Sequence, residues 1–527
     1  MSGHGGSLVE KYQKYKQKIR AKRRARLALW TSLLAGLALA LSFHFHFLYP
    51  VAWVALVPLL LGMEKTAPRT WVLHWWLAGM AFFAVLLYWM AYVTLVAWIP
   101  LAITMSLWWV LLALLTLPLR KTKGAVFLAA FPAAWVAVEF LRSQGPYGFS
   151  WGLLAYSLPP ELPLAQVVRW SGVWGLSFLV IAGNVALARA WAAKGWERFA
   201  AGGIVGVLAV ALLLSPQVGG SPGGVGIQAD AGQAESGKGR AVRVALVQPA
   251  IPQSKKWLVA RKEDYEAHLF RLTERALATN PDIVIWPESA VQQPLPEDLD
   301  LLRRLRGLAR ERGAAFIVGS PYQAGSRSFN SAFYLNPSGA LQRYDKLHLV
   351  PFGEYIPQRG VFGRIPQTDL VRADLSPGRG PALFALPGGG SVAPIICFES
   401  TDSILSRRAT ERAGLLVILT DDSWFGRSSA QEQHARMGRY RALELGIPVA
   451  QAANTGLSFV GDERGRILAQ APLYEEGVAQ AIVRLRTFPT WYARLGDALP
   501  LGSVAALAFL ALVLRVKIPG GKSKGKH

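Results

Sequence analysis

The sequence predicts a polytopic α-helical membrane domain followed by a layered α/β domain. Three observations carry this prediction. Apolar stretches follow one another from Leu27, short β-branched runs alternating with helical patterns start at Val242, and 52% hydrophobic against 17% charged residues with a mean hydropathy of +0.27 suits a chain partly solvated by lipid. Residues 1–26 are expected as a basic cytoplasmic segment, 27–215 as a seven-helix transmembrane domain, 216–240 as a linker, 241–485 as the α/β domain, and 486–527 as a last transmembrane helix with a basic tail.

The expected spans are roughly 27–44, 47–63, 71–94, 97–117, 124–142, 164–188 and 199–215, with an eighth at 499–514. Each approaches the ~20 residues that cross ~30 Å of hydrocarbon, and Trp75, Trp76, Trp89, Trp108 and Trp109 suit the headgroup belts. Basic residues mark every second loop: Lys65 and Arg69, then Arg120, Lys121 and Lys123, then Arg189, Lys194 and Arg198. Positive loops stay cytoplasmic. Both termini are therefore expected inside and the α/β domain outside, with the N-terminal run kept as an anchor rather than cleaved as a signal.

The net charge of +24 would suit nucleic acid if it lay on one face. Instead, a net +13 of it sits in two tails, Glu10–Arg26 and Arg515–Lys526, so anionic lipid is the expected partner and nucleic acid is not. The Gly/Ser/Ala-rich stretch 216–240 reads as a flexible linker. Within it Gly232–Lys238 imitates a phosphate-binding loop, but Gly239 stands where Ser or Thr is needed, so no nucleotide is expected.

From Val242 the runs VRVALVQ, DIVIWPE, AAFIVGS, VAPIICF and LLVILT alternate with helical stretches such as Asp264–Asn280 and Leu301–Arg312. Such folds place chemistry at strand ends. Three motifs lie there: Trp286-Pro287-Glu288-Ser289, Tyr344-Asp345-Lys346-Leu347-His348 leading to Pro351-Phe352-Gly353-Glu354-Tyr355, and Ile396-Cys397-Phe398-Glu399. Cys397 is the single cysteine, which excludes an intrachain disulfide. A carboxylate, an ammonium and a thiol supply base, oxyanion stabiliser and nucleophile for acyl transfer through a thioester. Glu288 can take the thiol proton, and Lys346 with the Phe398 N–H can hold the oxyanion. Each residue taken singly also fits a bland role: Cys397 as core packing, Glu288 as a carboxylate at a helix start, Lys346 as a solvated loop lysine. His44, His46, His348 and His434 show no metal-binding spacing, and no metal or cofactor is expected. Arg142, at the outer end of the fifth span, is positioned either for a headgroup phosphate or to reach water.

Together and in this order, the three motifs resemble the nitrilase (carbon–nitrogen hydrolase) superfamily over about 242–485. The stretches VQPAIPQSKKW, KLHLVPFGEYIP, CFES, DDSWFG and RALELGIPVAQAANTG, with EFLRSQGPYGFSWG (Glu139–Gly152) in the membrane half, are similar to the apolipoprotein N-acyltransferase family. The resemblance implies an αββα nitrilase-like sandwich, with Glu288 as base, Lys346 as oxyanion stabiliser and Cys397 as nucleophile. It makes Glu354 a second essential glutamate, Glu399 the acidic residue two after the nucleophile, and Trp257, Asn330 and Trp424 parts of the pocket and its arms. Phe398 replaces a frequent tyrosine, which removes that hydroxyl and leaves the backbone N–H. The implied partners are a membrane phospholipid acyl donor and a diacylglyceryl apolipoprotein acceptor, met by a monomer in the bacterial inner membrane with its catalytic domain on the periplasmic side. A membrane-tethered amidase that resolves its thioester with water is the alternative.

Overall fold

The computed structural model describes residues 8–62, 66–121, 125–192, 198–199, 201–206, 239–252, 262–364, 373–485 and 489–516. Residues 216–238 of the expected 216–240 linker, most of the 199–215 span and Trp257 lie outside them.

In the N-terminal half, helix α1 (Leu8–His44) runs unbroken for 37 residues from the basic segment into the first apolar stretch. It is followed by α2 (Pro68–Leu86), α3 (Leu95–Thr116), α4 (Ala125–Arg142) and α5 (Val168–Ala192). Among the described residues, three helical segments are long and apolar enough to cross a membrane: Arg26–His44, Leu95–Thr116 and Pro163–Ala192. The stretch expected as a second span is broken into a 3-10 helix, His46–Trp53, and a short α-helix, Val57–Gly62. Pro50 and Pro58 withhold backbone donors there. Buried Asn184 of α5 mends the gap by accepting from the Leu56 N–H at 2.9 Å and donating to the Ala52 carbonyl at 2.8 Å. A break in an apolar setting persists only when its freed backbone groups find such partners.

The C-terminal half contains two six-stranded sheets. The first joins β1 (Ala241–Gln248), β2 (Ile283–Ile285), β3 (Ala315–Ala324), β4 (Arg327–Leu335) and β5 (Leu341–Asp345). The second is built from β6 (Phe384–Ala385), β7 (Ser391–Ile396), β8 (Leu415–Thr420), β9 (Val449–Ala453), β10 (Phe459–Gly461) and β11 (Ile467–Gln470). Strand β12 (Gly477–Arg484) closes the first sheet, whose order is β12-β1-β2-β3-β4-β5, while the second runs β11-β10-β9-β8-β7-β6. Both have parallel centres, β1-β2-β3 and β7-β8-β9.

Alternate side chains face opposite ways along a strand. Val244, Leu246 and Ile285 therefore meet Val417, Leu419 and Ala452 between the sheets. Ala245, Val247 and Phe316 face outward under helices Lys262–Leu277 and Leu299–Arg312, while Ile395, Leu416 and Ile418 face helix α6 (Ala430–Leu445). The layers are α, β, β, α, as expected.

Helix α6 has no solvated face: every residue in it except Glu432 is buried. Ala435, Ala442 and Leu445 pack on the second sheet, whereas Met437, Tyr440 and Leu443 join the core of the membrane half. Its polar side chains bind across the junction. Arg436 donates to the Tyr156 carbonyl at 2.8 Å, Arg441 to the Tyr156 hydroxyl at 2.8 Å, and Glu444 accepts from the Val173 N–H at 2.8 Å. That last donor is freed by a kink at Gly172 (φ 65°, ψ −176°), a conformation essentially confined to glycine. A Cβ there would also approach the Tyr492 ring to 2.6 Å.

Candidate active site

Strands β2, β5 and β7 end at one edge of the sandwich, where the antiparallel β4 begins, and residues at these strand ends converge. Glu288 follows β2 by three residues and is 8% exposed. Its Oε1 accepts from Asn330 Nδ2 at 2.7 Å and its Oε2 from the Asp421 N–H at 2.8 Å. Asn330, on β4, gives a second bond from the same nitrogen to Glu354 Oε1 at 2.8 Å. Lys346, directly after β5 and 1% exposed, places Nζ 2.8 Å from Glu354 Oε2 and 3.9 Å from Glu288 Oε1. Glu354 Oε2 also accepts from the Val350 N–H at 2.8 Å. One buried ammonium is thus held between two carboxyl groups, and Asn330 spaces them.

Cys397 directly follows β7 and starts a 3-10 turn, Cys397–Thr401, with φ +52°. A β-carbon is disfavoured in this left-handed region, so the conformation persists only where its surroundings enforce it. Glu399 is the main enforcer. Fully buried, it accepts from the Ile396 N–H at 2.7 Å just before Cys397, and from the Leu347 and His348 N–H groups at 2.6 and 3.0 Å just after Lys346. The Tyr344 hydroxyl adds contacts at 2.9 and 2.8 Å. Glu399 thereby ties the loop after Lys346 to the turn that starts at Cys397.

The charges are strongly coupled. Burial pushes the Glu288 carboxyl above its usual range, and Lys346 works against that rise. Burial also works to deprotonate Lys346, but Glu354 and Glu288 outweigh it and raise its pKa. For Cys397, burial and then Glu288 raise the thiol well above its ordinary value while Lys346 opposes them. At neutral pH the resting group is therefore a thiol, and attack needs a base that removes its proton during the step.

Of the residues picked out from the sequence, the structure brings Glu288, Asn330, Lys346, Glu354, Cys397 and Glu399 into this one network. Phe398 points away from it, its ring 5.9 Å from Phe149 of the membrane half and 5.6 Å from His348. Trp424 lies in the turn Asp422–Phe425 with 47% of its surface exposed and is not among the groups bonded to the network. Arg142 neither reaches water nor offers an open phosphate site: it is buried and donates to the Trp151 carbonyl at 2.7 Å. His44 and His46 bond across the junction, to Ser429 at 2.6 Å and Arg436 at 3.0 Å. Among the described residues, no group of three or more His, Cys, Asp and Glu side chains is arranged to hold a metal ion. Asp421, which braces Glu288, was missed from the sequence although it directly follows β8, a strand end like the other three.

The family model for the apolipoprotein N-acyltransferase N-terminal domain matches residues 35–186, and that for carbon-nitrogen hydrolase matches 243–492. An apolipoprotein N-acyltransferase of Geobacter metallireducens is 36% identical over 91% of this chain and 94% of its own. Another, from Rhodopseudomonas palustris, is 29% identical over 87% and 88%. Among solved structures, an amidase from Nesterenkonia sp. is 21% identical with a TM-score of 0.36, covering 48% of this chain and 92% of that one.

Proposed function

The chain belongs to the apolipoprotein N-acyltransferase family, and from that membership we propose a ping-pong acyl transfer in which Cys397 is the nucleophile, Glu288 the base and Lys346 the oxyanion stabiliser. Its substrates are lipids and lipoproteins. The observation that carries the mechanism is the buried Glu288–Asn330–Glu354–Lys346 network whose charges bear on a positive-φ cysteine.

In the first half-reaction Glu288 takes the Sγ proton as the thiolate attacks an ester carbonyl of a membrane phospholipid. Lys346 and the Phe398 N–H stabilise the tetrahedral oxyanion. Collapse breaks the ester C–O bond, Glu288 returns the proton to the departing lysophospholipid oxygen, and a thioester remains. In the second, the free α-amine of a diacylglyceryl-cysteine attacks that thioester and yields a proton to Glu288. The thiolate leaves and is reprotonated, and the N-acylated lipoprotein departs.

The location proposed is the bacterial inner membrane, multi-pass and monomeric, with both basic termini cytoplasmic and the 241–485 domain on the periplasmic side. The alternating basic loops support this orientation. The packing of Phe398 on Phe149 supports the site's position against the membrane half, where acyl chains are delivered without leaving lipid. Incubation with phosphatidylethanolamine vesicles and a diacylglyceryl peptide separates transfer from hydrolysis. N-acyl peptide and lysophospholipid are expected in equal amounts; free fatty acid without N-acyl peptide would establish the water-resolved amidase instead.

A further inference from the structure

His434 is fully buried on α6, directly behind the nucleophile turn, and the mechanism above leaves it unused. Its Nδ1 lies 2.8 Å from Asp422 Oδ1, which also accepts from the Thr420 hydroxyl at 2.7 Å. Its Nε2 lies 2.8 Å from Ser400 Oγ and 3.2 Å from the carbonyl oxygen of Cys397 itself. From the membrane half, Trp151 stacks over the imidazole, with centroids 5.8 Å apart and planes 25° apart. Trp151 is held in turn by a bond from its Nε1 to Gln433 at 2.7 Å and by the Arg142 bond to its carbonyl. The Phe425 ring closes the remaining side at 6.2 Å.

A peptide unit is planar and, when trans, its C=O and N–H point in opposite directions. Whatever holds the Cys397 carbonyl therefore also aims the next N–H, that of Phe398. As the second residue of a 3-10 turn, Phe398 carries one of the orphan donors of a helix start. We infer that His434, braced by Asp422 and Trp151, is a positioning residue of the oxyanion hole: its Nε2 grips the Cys397 carbonyl and so orients the Phe398 N–H toward the developing oxyanion.

The local chemistry agrees. If Nε2 carried only a lone pair, it would repel the Cys397 carbonyl; a proton there gives that oxygen and Ser400 Oγ a shared donor. Burial disfavours the doubly protonated ring, but Asp422, the Cys397 carbonyl and Glu288 outweigh it and raise the His434 pKa. The face of Trp151 suits a cationic ring. The His434 ring thus links the membrane half to the reacting centre.

This inference rests on Cys397 as the acyl-carrying nucleophile, and the test separates the two ideas. The full-length protein in phosphatidylethanolamine vesicles is compared with His434→Asn and His434→Gln. The Asn amide nitrogen overlays the ring Nδ1 and preserves the Asp422 contact, whereas the Gln nitrogen overlays Nε2 and preserves the grip on the Cys397 carbonyl. Two rates at Cys397 are read: single-turnover acylation, which passes through an oxyanion, and alkylation by iodoacetamide, which does not. His434→Asn is expected to slow acylation on the order of 10- to 100-fold, His434→Gln by less than about 5-fold, and both to alkylate at about the wild-type rate. Unchanged alkylation also reports an intact pocket. Parallel loss of both rates, unaffected acylation in His434→Asn, or His434→Gln slower than His434→Asn would overturn the positioning role. A wild-type protein that alkylates at Cys397 but accepts no acyl group would overturn the acyl-enzyme reading, and the inference with it.

Discussion

Cys397→Ala is expected to take acyl transfer to background, a loss of at least about 10,000-fold, while the thermal unfolding midpoint in detergent stays close to wild type. The activity loss follows from chemistry, since without a nucleophile there is no thioester and neither half-reaction can begin. The small stability effect follows from structure. The side chain is small and only partly buried, and alanine meets the same positive φ as cysteine. Clamping of the turn belongs to Glu399, which the substitution leaves in place. Turnover of the diacylglyceryl peptide and a thermal melt on the same preparation measure the two effects; residual transfer within about 100-fold of wild type would remove Cys397 from the mechanism.

Lys346→Met is expected to slow Cys397 acylation on the order of 1,000-fold, because it deletes the charge opposite the oxyanion. It also leaves Glu288 and Glu354 sharing Asn330 with no cation between them. Breaking such a buried pair commonly costs about 3–5 kcal/mol, and proton uptake by a carboxyl group recovers part of that. The pH dependence has a definite sign. Glu288 acts as base only when ionised, and its pKa is already raised by burial and lowered by Lys346. Removing Lys346 raises it further, so the base form is lost at a higher pH as the medium is acidified. The acid limb of the acylation profile, recorded from about pH 5 to about pH 9, therefore moves to higher pH in the variant. An acid limb that stayed in place or moved lower would contradict the assignment of Glu288 as the base Lys346 acts on.

Much of this site is written locally in the chain. Glu288, Lys346 and Cys397 each follow a short apolar strand, so the residue types and the fold class together were enough to bring them to one edge. Glu354 and Glu399 sit within ten residues of those strands. What the sequence conceals is long-range pairing. Helix α6 carries Gln433, His434, Arg436, Arg439, Arg441 and Glu444, yet it is enclosed between the second sheet and the membrane half. Its charges are satisfied by partners about half the chain away, such as Tyr156 and Val173, which no periodicity reveals. The same applies to the broken second span, legible only once Asn184 is seen to serve Leu56 and Ala52. His434 offered no metal-like spacing, and its significance rests on Asp422 and on the carbonyl of Cys397, contacts that fold geometry alone creates.

Intact-mass spectrometry of the full-length protein after exposure to phosphatidylethanolamine vesicles tests acyl transfer through Cys397 most directly. One fatty acyl adduct is expected, mapped to Cys397, absent from Cys397→Ala, and discharged on adding a diacylglyceryl peptide with formation of N-acyl peptide. A folded protein with alkylatable Cys397 that forms N-acyl peptide without ever carrying an acyl group on that residue would contradict it.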